Sequence, residues 1–502
     1  MQAKVYLDTH YEIGEIDPRL FSGFIEHLGR AVYGGLYDPG NPLSDERGFR
    51  RDVLAALKPL RMPLVRYPGG NFVSAYDWRD GIGPREQRLP RLDYAWRSIE
   101  PNTFGTDEFM AWCKEVETAP MMVVNLGTAG AKEAAALLEY CNLPAGTAWA
   151  DRRVAQGHPE PYSVKVWGLG NEMDGPWQAG HVPAEEYARR AQQAGRIMKR
   201  LDPSIELVAC GSSKRALPTY LKWDRQVLEY CWEDVDYLSA HRYTYNSLGD
   251  SAWFLSEGVE VDRIIEDYAA LFGYVRGLKR SDKRIYLAFD EWNVWDRDQA
   301  PVPLPTTPWQ RAPHLLEQVY TLEDALVCAQ FLTSFLRHAD VVKIACLAQA
   351  VNVIAPILTR TDGLLIQSIY YPFVLMAEHA RGRSLRPVIS SPTYEAGERG
   401  SVPVIDAAVS HDPAAGQLGV FLVNRSLQEE RGVSIEIADA KALRVTGVDV
   451  LAGHDPRLTN SWDHPKRIAP VRGQASLDPA GGLTLLLPPL SFVALRAVIE
   501  KR

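Results

Sequence analysis

The hydrophobic positions of this chain fall into two regimes. Between residues 20 and 349, short apolar runs recur at 20–27, 64–69, 121–127, 164–172, 205–212, 235–243, 285–291 and 341–349. Each is followed by a stretch of helical character. In 184–201, Tyr187, Ala191, Ala194, Met198 and Leu201 share one face, Pro183 suits the first turn, and Asp202-Pro203 ends the helix. In 322–338, Leu322, Ala325, Leu326, Ala329, Leu332 and Leu336 repeat the pattern. Eight strand–helix units predict an α/β fold, a closed (β/α)8 TIM barrel with its helices outside, over residues 18–384. A doubly wound open sheet would also alternate, but gives no reason to stop at eight.

After Leu385 the helical period disappears. Alternating runs such as Gly419-Val420-Phe421-Leu422-Val423-Asn424, separated by Gly, Pro, Asp and Ser, predict an antiparallel, jelly-roll-like β-sandwich. Residues 3–17 read as one or two strands with no helix behind them. They are expected to pair into the same sandwich, which makes the second domain discontinuous: 1–17 with 385–502.

Composition narrows the partners. At 502 residues, with 46% hydrophobic and 24% charged residues, the chain can fill a large core. A net charge of −8 argues against nucleic acid or an anionic membrane, since phosphate binding needs clustered Lys and Arg. Arg85, Arg88, Arg91 and Arg97 lie close in sequence, but acidic residues are interspersed with them. The six cysteines sit mostly in apolar patterns, without the spacing of a disulfide framework or a zinc site. The first residues, Met1 to Leu7, alternate like a strand and lack the apolar core of a signal peptide, so a cytoplasmic location is expected. Two loops exceed ordinary barrel lengths: 72–105, rich in Gly, Arg and aromatics, and 296–313, with five prolines. Loops of that length at a barrel mouth commonly build a pocket or a subunit contact; a mobile surface linker is the plain alternative.

The chemistry collects at the strand ends. The fourth run, Val164-Lys165-Val166-Trp167-Gly168-Leu169-Gly170-Asn171-Glu172, is a buried strand delivering an amide and a carboxylate; the seventh delivers Asp290-Glu291-Trp292. A lone Glu there could simply cap the next helix. Two, brought to one mouth by a barrel, are what glycosidic hydrolysis requires: one protonates the leaving oxygen, the other attacks the anomeric carbon or activates water. The other strand ends offer Glu26, His27, Arg66, Asn125, His241, Tyr243 and Gln349, which the topology would point at the same cavity. Trp96, Trp177, Trp295 and Tyr243 offer flat faces for a sugar; each alone fits core packing better, but four near strand ends or mouth loops shift the balance. His27, His241, Glu172 and Glu291 could in principle hold a metal, but no His-x-His or His-Glu-x-x-His spacing is present. An imidazole at a strand end more often orients a carboxylate. His241 could do so for Glu291, and Tyr243 could donate to the same group.

These residues sit in longer motifs. Gly168-Leu169-Gly170-Asn171-Glu172-Met173-Asp174-Gly175-Pro176-Trp177-Gln178 resembles the acid/base motif of glycoside hydrolase family 51, the α-L-arabinofuranosidases. Asp290-Glu291-Trp292-Asn293-Val294-Trp295 resembles its nucleophile motif. Phe24-Ile25-Glu26-His27-Leu28-Gly29 and Arg66-Tyr67-Pro68-Gly69-Gly70-Asn71-Phe72 resemble its first two strand ends. The resemblance spans essentially the whole chain. It implies a retaining, exo-acting enzyme for arabino-oligosaccharides, with Glu172 as acid/base and Glu291 as nucleophile. It further implies that Glu26, Asn71 and Asn171 bind furanose hydroxyls and that Tyr243 orients Glu291. Trp96, Trp295 and Gln349 would line the pocket, while Arg66, His241 and Trp177 would support the carboxylates. A homohexamer with no cofactor and no catalytic metal is the family expectation. A β-xylosidase or endo-β-glycanase on the same scaffold is the alternative, an open cleft favouring endo action. A non-catalytic sugar-binding protein is disfavoured by the retention of both carboxylates in their motifs.

Overall fold

The computed structural model describes residues 2–501. Eight parallel strands close into a barrel in chain order: Ser22–Phe24, Leu64–Tyr67, Ala119–Val124, Val166–Leu169, Glu206–Ala209, Tyr237–Thr244, Tyr286–Val294 and Val342–Ala348. All eight apolar runs are therefore barrel strands, numbered one to eight here. The barrel is packed rather than hollow. Phe24, Leu64, Met121, Val166, Val208, Tyr237, Ala288 and Ile344, one from each strand, meet in its interior, as expected for branched and bulky residues pointing inward from a tilted parallel sheet.

Helices Thr106–Val116, Ala131–Asn142, Ala184–Leu201, Lys222–Cys231, Glu257–Lys279, Leu322–Arg337 and Tyr370–His379 surround the strands. In Ala184–Leu201 the residues Tyr187, Ala191, Ala194 and Met198 are buried, whereas Leu201 is exposed because the apolar stripe ends one turn before the helix does. Pro183 is the N-cap rather than part of the first turn. All six cysteines are buried free thiols. Arg85 and Arg88 pair with Glu108, and Arg91 with Asp80, which uses up the charge of those three internally; Arg97 instead stacks on Trp309.

Past the barrel, strands build a seven-stranded sheet and a five-stranded sheet. A separate core that includes Val5, Ile405, Val420, Val433, Leu485 and Leu495 lies within these strands. The N-terminal strand Ala3–Leu7 pairs with Val388–Ser390 on one side and Arg431–Ile437 on the other; Glu12–Glu15 pairs with Arg383–Leu385. The expectation of a purely antiparallel sandwich needs one correction. Ala3–Leu7 runs parallel to Arg431–Ile437, a pairing open to it because the whole barrel intervenes between the two segments. Residues 1 and 502, the outer ends of the expected second domain, lie outside the described residues.

Candidate active site

Strand four ends where its glycines let the backbone turn. Gly170 has φ +88°, and Glu172 itself takes φ +43°, a left-handed conformation that a side-chain-bearing residue adopts only when its surroundings hold it there. The turn aims Glu172 across the barrel mouth. Between strands six and seven the register slips between Ser239 and His241, an irregularity that re-aims side chains next to a site. Beyond it His241 stands level with Glu291. One carboxylate oxygen of Glu172, one of Glu291 and a ring nitrogen of His241 then lie within 4.8 Å of one another.

Each carboxylate has its own supports. Glu291 receives the Tyr243 hydroxyl at 2.8 Å and the Arg66 guanidinium at 2.7 Å. Glu172 is 2.9 Å from His241 Nδ1 and accepts the Trp177 indole N–H. The sequence expectation placed His241 on Glu291. In the structure its shorter contact is to Glu172, with Glu291 at 3.5 Å, because the left-handed turn carries Glu172 over the imidazole. The other ring nitrogen lies 3.3 Å from Asp290, which also holds Arg66 Nε at 3.0 Å. Arg66 also donates to Asn171 Oδ1 at 2.7 Å and lies over the Phe24 ring. Asn171 in turn donates to Asn71, which Gln178 also reaches.

These groups surround a cavity of about 280 Å³, lined by Glu26, Asn71, Trp96, Glu172, Trp177, Tyr243, Glu291, Trp295 and Gln349. Glu26 accepts the Phe72 backbone N–H at 2.8 Å and the Trp96 indole at 2.9 Å, and Gln349 contacts its backbone and carboxylate. Space at Gly70 is tight: a Cβ on it would sit 3.0 Å from Glu291 and 3.1 Å from Glu26, so both carboxylates would have to shift to admit a side chain. Arg66, Asn171 and His241 do not line the cavity; they lie beneath the residues that do. Two strand-end residues go elsewhere. His27 is buried between Glu100 and Tyr67, and Asn125 caps its own loop by accepting from the Gly127 and Thr128 backbones. Neither lines this cavity: His27 is packed among the Tyr33, Phe72 and Tyr76 rings, and Asn125 is held by its own loop.

The two long loops close over the mouth. Ala95 and Trp96 come from the first, Val302 and Pro303 from the second. The loops hold each other through the Ile99 N–H on Gln310 and the Arg97 guanidinium over Trp309. Sequence reasoning missed Asp290, Gln178, Lys214 and Arg297. The first two stand inside the quoted motifs, where they could have been found; Lys214 and Arg297 had no sequence signal.

Burial raises both catalytic-site carboxyls, and neighbours then separate them. At Glu172, the hydrogen bond and charge of His241, with Trp177 and Lys214, outweigh burial and hold the carboxyl below its ordinary value. At Glu291, burial with the repulsion of Glu172 and Asp290 outweighs His241 and Arg66, and the carboxyl is raised. His241 is well above an ordinary imidazole: burial opposes its charge, but Glu291, Asp290 and Glu172 together overcome it. Burial and the proximity of Glu291 push Glu26 up to about 8.

Comparisons with known proteins agree with this geometry. Residues 56–261 match the α-L-arabinofuranosidase 1 domain, and residues 290–491 match the α-L-arabinofuranosidase C-terminal domain. An intracellular exo-α-(1→5)-L-arabinofuranosidase from Acetivibrio thermocellus is 45% identical over 500 residues, covering 99% of each chain. A Bacillus subtilis enzyme of the same description is 44% identical over 496 residues, again covering 99% of each. The solved structure of a family 51 α-L-arabinofuranosidase from Bifidobacterium longum superposes with a TM-score of 0.94 at 40% identity, covering 99% of both chains. Fold, site and full-length similarity converge: this chain belongs to the α-L-arabinofuranosidases of glycoside hydrolase family 51.

Proposed function

We propose that the chain removes terminal α-L-arabinofuranosyl residues from arabino-oligosaccharides by double displacement, with Glu172 as acid/base and Glu291 as nucleophile. The observation that carries this is the approach of the two carboxylates to within 4.8 Å in a cavity that both line. Retaining glycosidases hold the pair at about 5–5.5 Å, whereas inverting ones leave about 6.5–9.5 Å for a water. The loops that wall the cavity favour a single terminal sugar over a long chain, and so exo action.

Glu291 attacks the anomeric carbon while Glu172 protonates the departing oxygen; the glycosidic bond breaks as the ester to Glu291 forms. Glu172, now ionised, then takes a proton from water, whose oxygen displaces Glu291. Each carboxylate disfavours ionisation of the other, and without a sugar between them Glu291 is the one held above its ordinary value. Substrate reverses this. Positive charge developing at the anomeric carbon favours ionised Glu291, and the leaving oxygen draws the proton through Glu172. Once the ester forms, Glu291 no longer repels a charge on Glu172, which lowers the cost of ionising it for the second step. Arg66 and Tyr243 hold Glu291 in line, Glu26 and Asn71 are assigned to the furanose hydroxyls, and Asn171, expected to join them, supports that side from beneath by donating to Asn71. The three-residue cluster of Glu172, His241 and Glu291 could hold a metal, but the Arg66 guanidinium 2.7 Å from Glu291 already supplies positive charge there and would repel a cation.

The same reading takes 18–384 as the catalytic unit and 1–17 with 385–502 as the sandwich, supported by the pairing of both N-terminal strands with C-terminal ones. It also takes the enzyme as working inside the cell, as the names of its curated relatives say of them, and as a homohexamer, the expectation drawn from the family resemblance. Exposed Leu89, Leu92, Tyr94 and Leu304 on the mouth loops support a subunit contact there. The test is hydrolysis of an aryl α-L-arabinofuranoside beside the aryl β-D-xyloside and β-D-glucoside, following the first-formed anomer by NMR. Preferred cleavage of the arabinoside with retention is expected. For Glu291→Ala, turnover should be lost and azide should restore it as the inverted glycosyl azide; full activity in that variant would exclude the nucleophile role.

A further inference from the structure

Two cations stand at the cavity beside the acid and have no anionic partner. Lys214 and Arg297 both line it. Lys214 Nζ lies 3.9 Å from the Trp177 ring centroid, and the Arg297 guanidinium lies 4.6 Å from that of Trp295. Stacking places each charge over an aromatic wall of the cavity and fixes its position. Among the described residues, neither makes a side-chain hydrogen bond or an ion pair with a carboxylate. In a chain with a net charge of −8, Arg85, Arg88 and Arg91 of the first mouth loop are paired with carboxylates, while Arg97, which has no carboxylate partner, stacks on Trp309 and donates to the Thr307 carbonyl, away from the cavity lining. The two are also near enough to repel: Lys214 is held below its ordinary value first by burial and then by Arg297. Glu172 and Asp174 act on it in the opposite sense without reaching ion-pair distance.

Their side of the cavity follows from Glu172. The acid must face the leaving oxygen, and Trp177 donates its indole N–H to that carboxylate. Lys214 over Trp177 therefore stands on the leaving-group side, not on the side of Glu26 and Asn71 that holds the arabinosyl ring. Like charges gathered without a counter-ion next to a leaving group are stabilised by an anion arriving with the substrate. From this we infer that Lys214 and Arg297 form a subsite for a carboxylate carried by the leaving group, so that the enzyme favours arabinosides of acidic sugars or aromatic acids over their neutral counterparts.

The inference rests on the proposed arabinofuranosidase reading and deepens it. Its test compares 3-carboxyphenyl and 3-carbamoylphenyl α-L-arabinofuranosides, taking the ratio of their kcat/KM values in wild type, Lys214→Met, Arg297→Met and the double variant. Intrinsic leaving-group reactivity and any general damage to the site cancel in the change of that ratio. The ratio is expected to fall about ten-fold in each single variant, the scale of one hydrogen bond to a charged group, and to fall in wild type alone as salt is raised. A ratio unchanged in both single variants would overturn the subsite. Arabinofuranosyl uronic-acid disaccharides and their methyl esters, run in parallel, tell an acidic sugar from an aromatic acid as the carrier. Failure of wild type to cleave either aryl arabinoside would instead sink the arabinofuranosidase reading, so the two failures are distinguishable.

Discussion

Glu172 and Glu291 differ by what touches them, and that difference can be measured. Replacing Glu172 by Ala removes the proton donor. A dinitrophenyl arabinofuranoside, which needs no proton to leave, should lose little in kcat/KM, whereas an arabinobiose should lose on the order of 10³-fold. Equal losses on both would contradict the acid role. Glu26 gives a prediction in stability. Its carboxyl titrates at about 8 when folded against an ordinary value of 4.5, so the folded protein holds a proton there that the unfolded chain has released. The stability this proton contributes is complete below pH 4.5 and is lost as pH rises through about 8. Glu26→Gln, which cannot ionise, should therefore gain on wild type by a few kcal/mol (order of magnitude) between pH 4.5 and 8.5. Urea melts at both pH values check this, and a difference independent of pH would refute it. The identities of these residues were legible in the sequence because each ends an apolar run. Which carboxylate His241 would hold was not, because that depends on a left-handed turn at Glu172.

At the scale of elements, the helix Ala184–Leu201 does more than cover the barrel. Tyr187 on its first turn donates its hydroxyl to Leu169 O at 2.8 Å and accepts the Cys210 N–H at 2.6 Å, tying together the ends of strands four and five just before Asn171 and Glu172. Both backbone groups are buried, so Tyr187→Phe would leave them unpaired, at a cost of roughly 1–3 kcal/mol. A corresponding drop in unfolding free energy is expected, with kcat falling in the folded enzyme because the platform of Glu172 loosens. Unchanged stability would mean that water replaces the hydroxyl. The helix itself was evident from its periodicity, to the residue, but its apolar face was drawn one residue too long at Leu201. A pattern of spacing cannot tell the last buried turn from the first exposed one; only the neighbouring helices settle that.

At the scale of the whole molecule, one carboxylate fastens the barrel to the sheets. Asp406, in strand Ile405–Asp412, accepts the Thr333 hydroxyl at 2.7 Å and the Arg337 guanidinium at 3.0 Å from helix Leu322–Arg337, and pairs with Arg425 at 3.2 Å. Burial would raise it, yet Arg337 and Arg425 hold it below its ordinary value. Asp406→Asn leaves two buried guanidinium groups short of charge, and unfolding free energy should fall by roughly 3 kcal/mol at neutral pH. The sign with pH is the reverse of that at Glu26. This contribution is present above the ordinary carboxylate range and is lost as pH falls through the depressed folded value, so the gap to wild type should close in acid. Specific activity of the folded variant should be retained, since Asp406 is remote from the cavity; its loss would show that the sheets help shape the mouth.

The order of apolar runs, the count of eight and the switch to alternation after Leu385 were written in the sequence, because strands and helices bury their faces at periods a single chain displays. So was the pair of glutamates, since each closes a buried strand. Only the tertiary structure decided which strand-end residues reach the cavity, sending His27 and Asn125 elsewhere and bringing Lys214 and Arg297 in. Side-chain direction at a turn depends on φ and ψ, and an unpaired charge depends on where every carboxylate of the fold has gone. Neither is a local property of the chain.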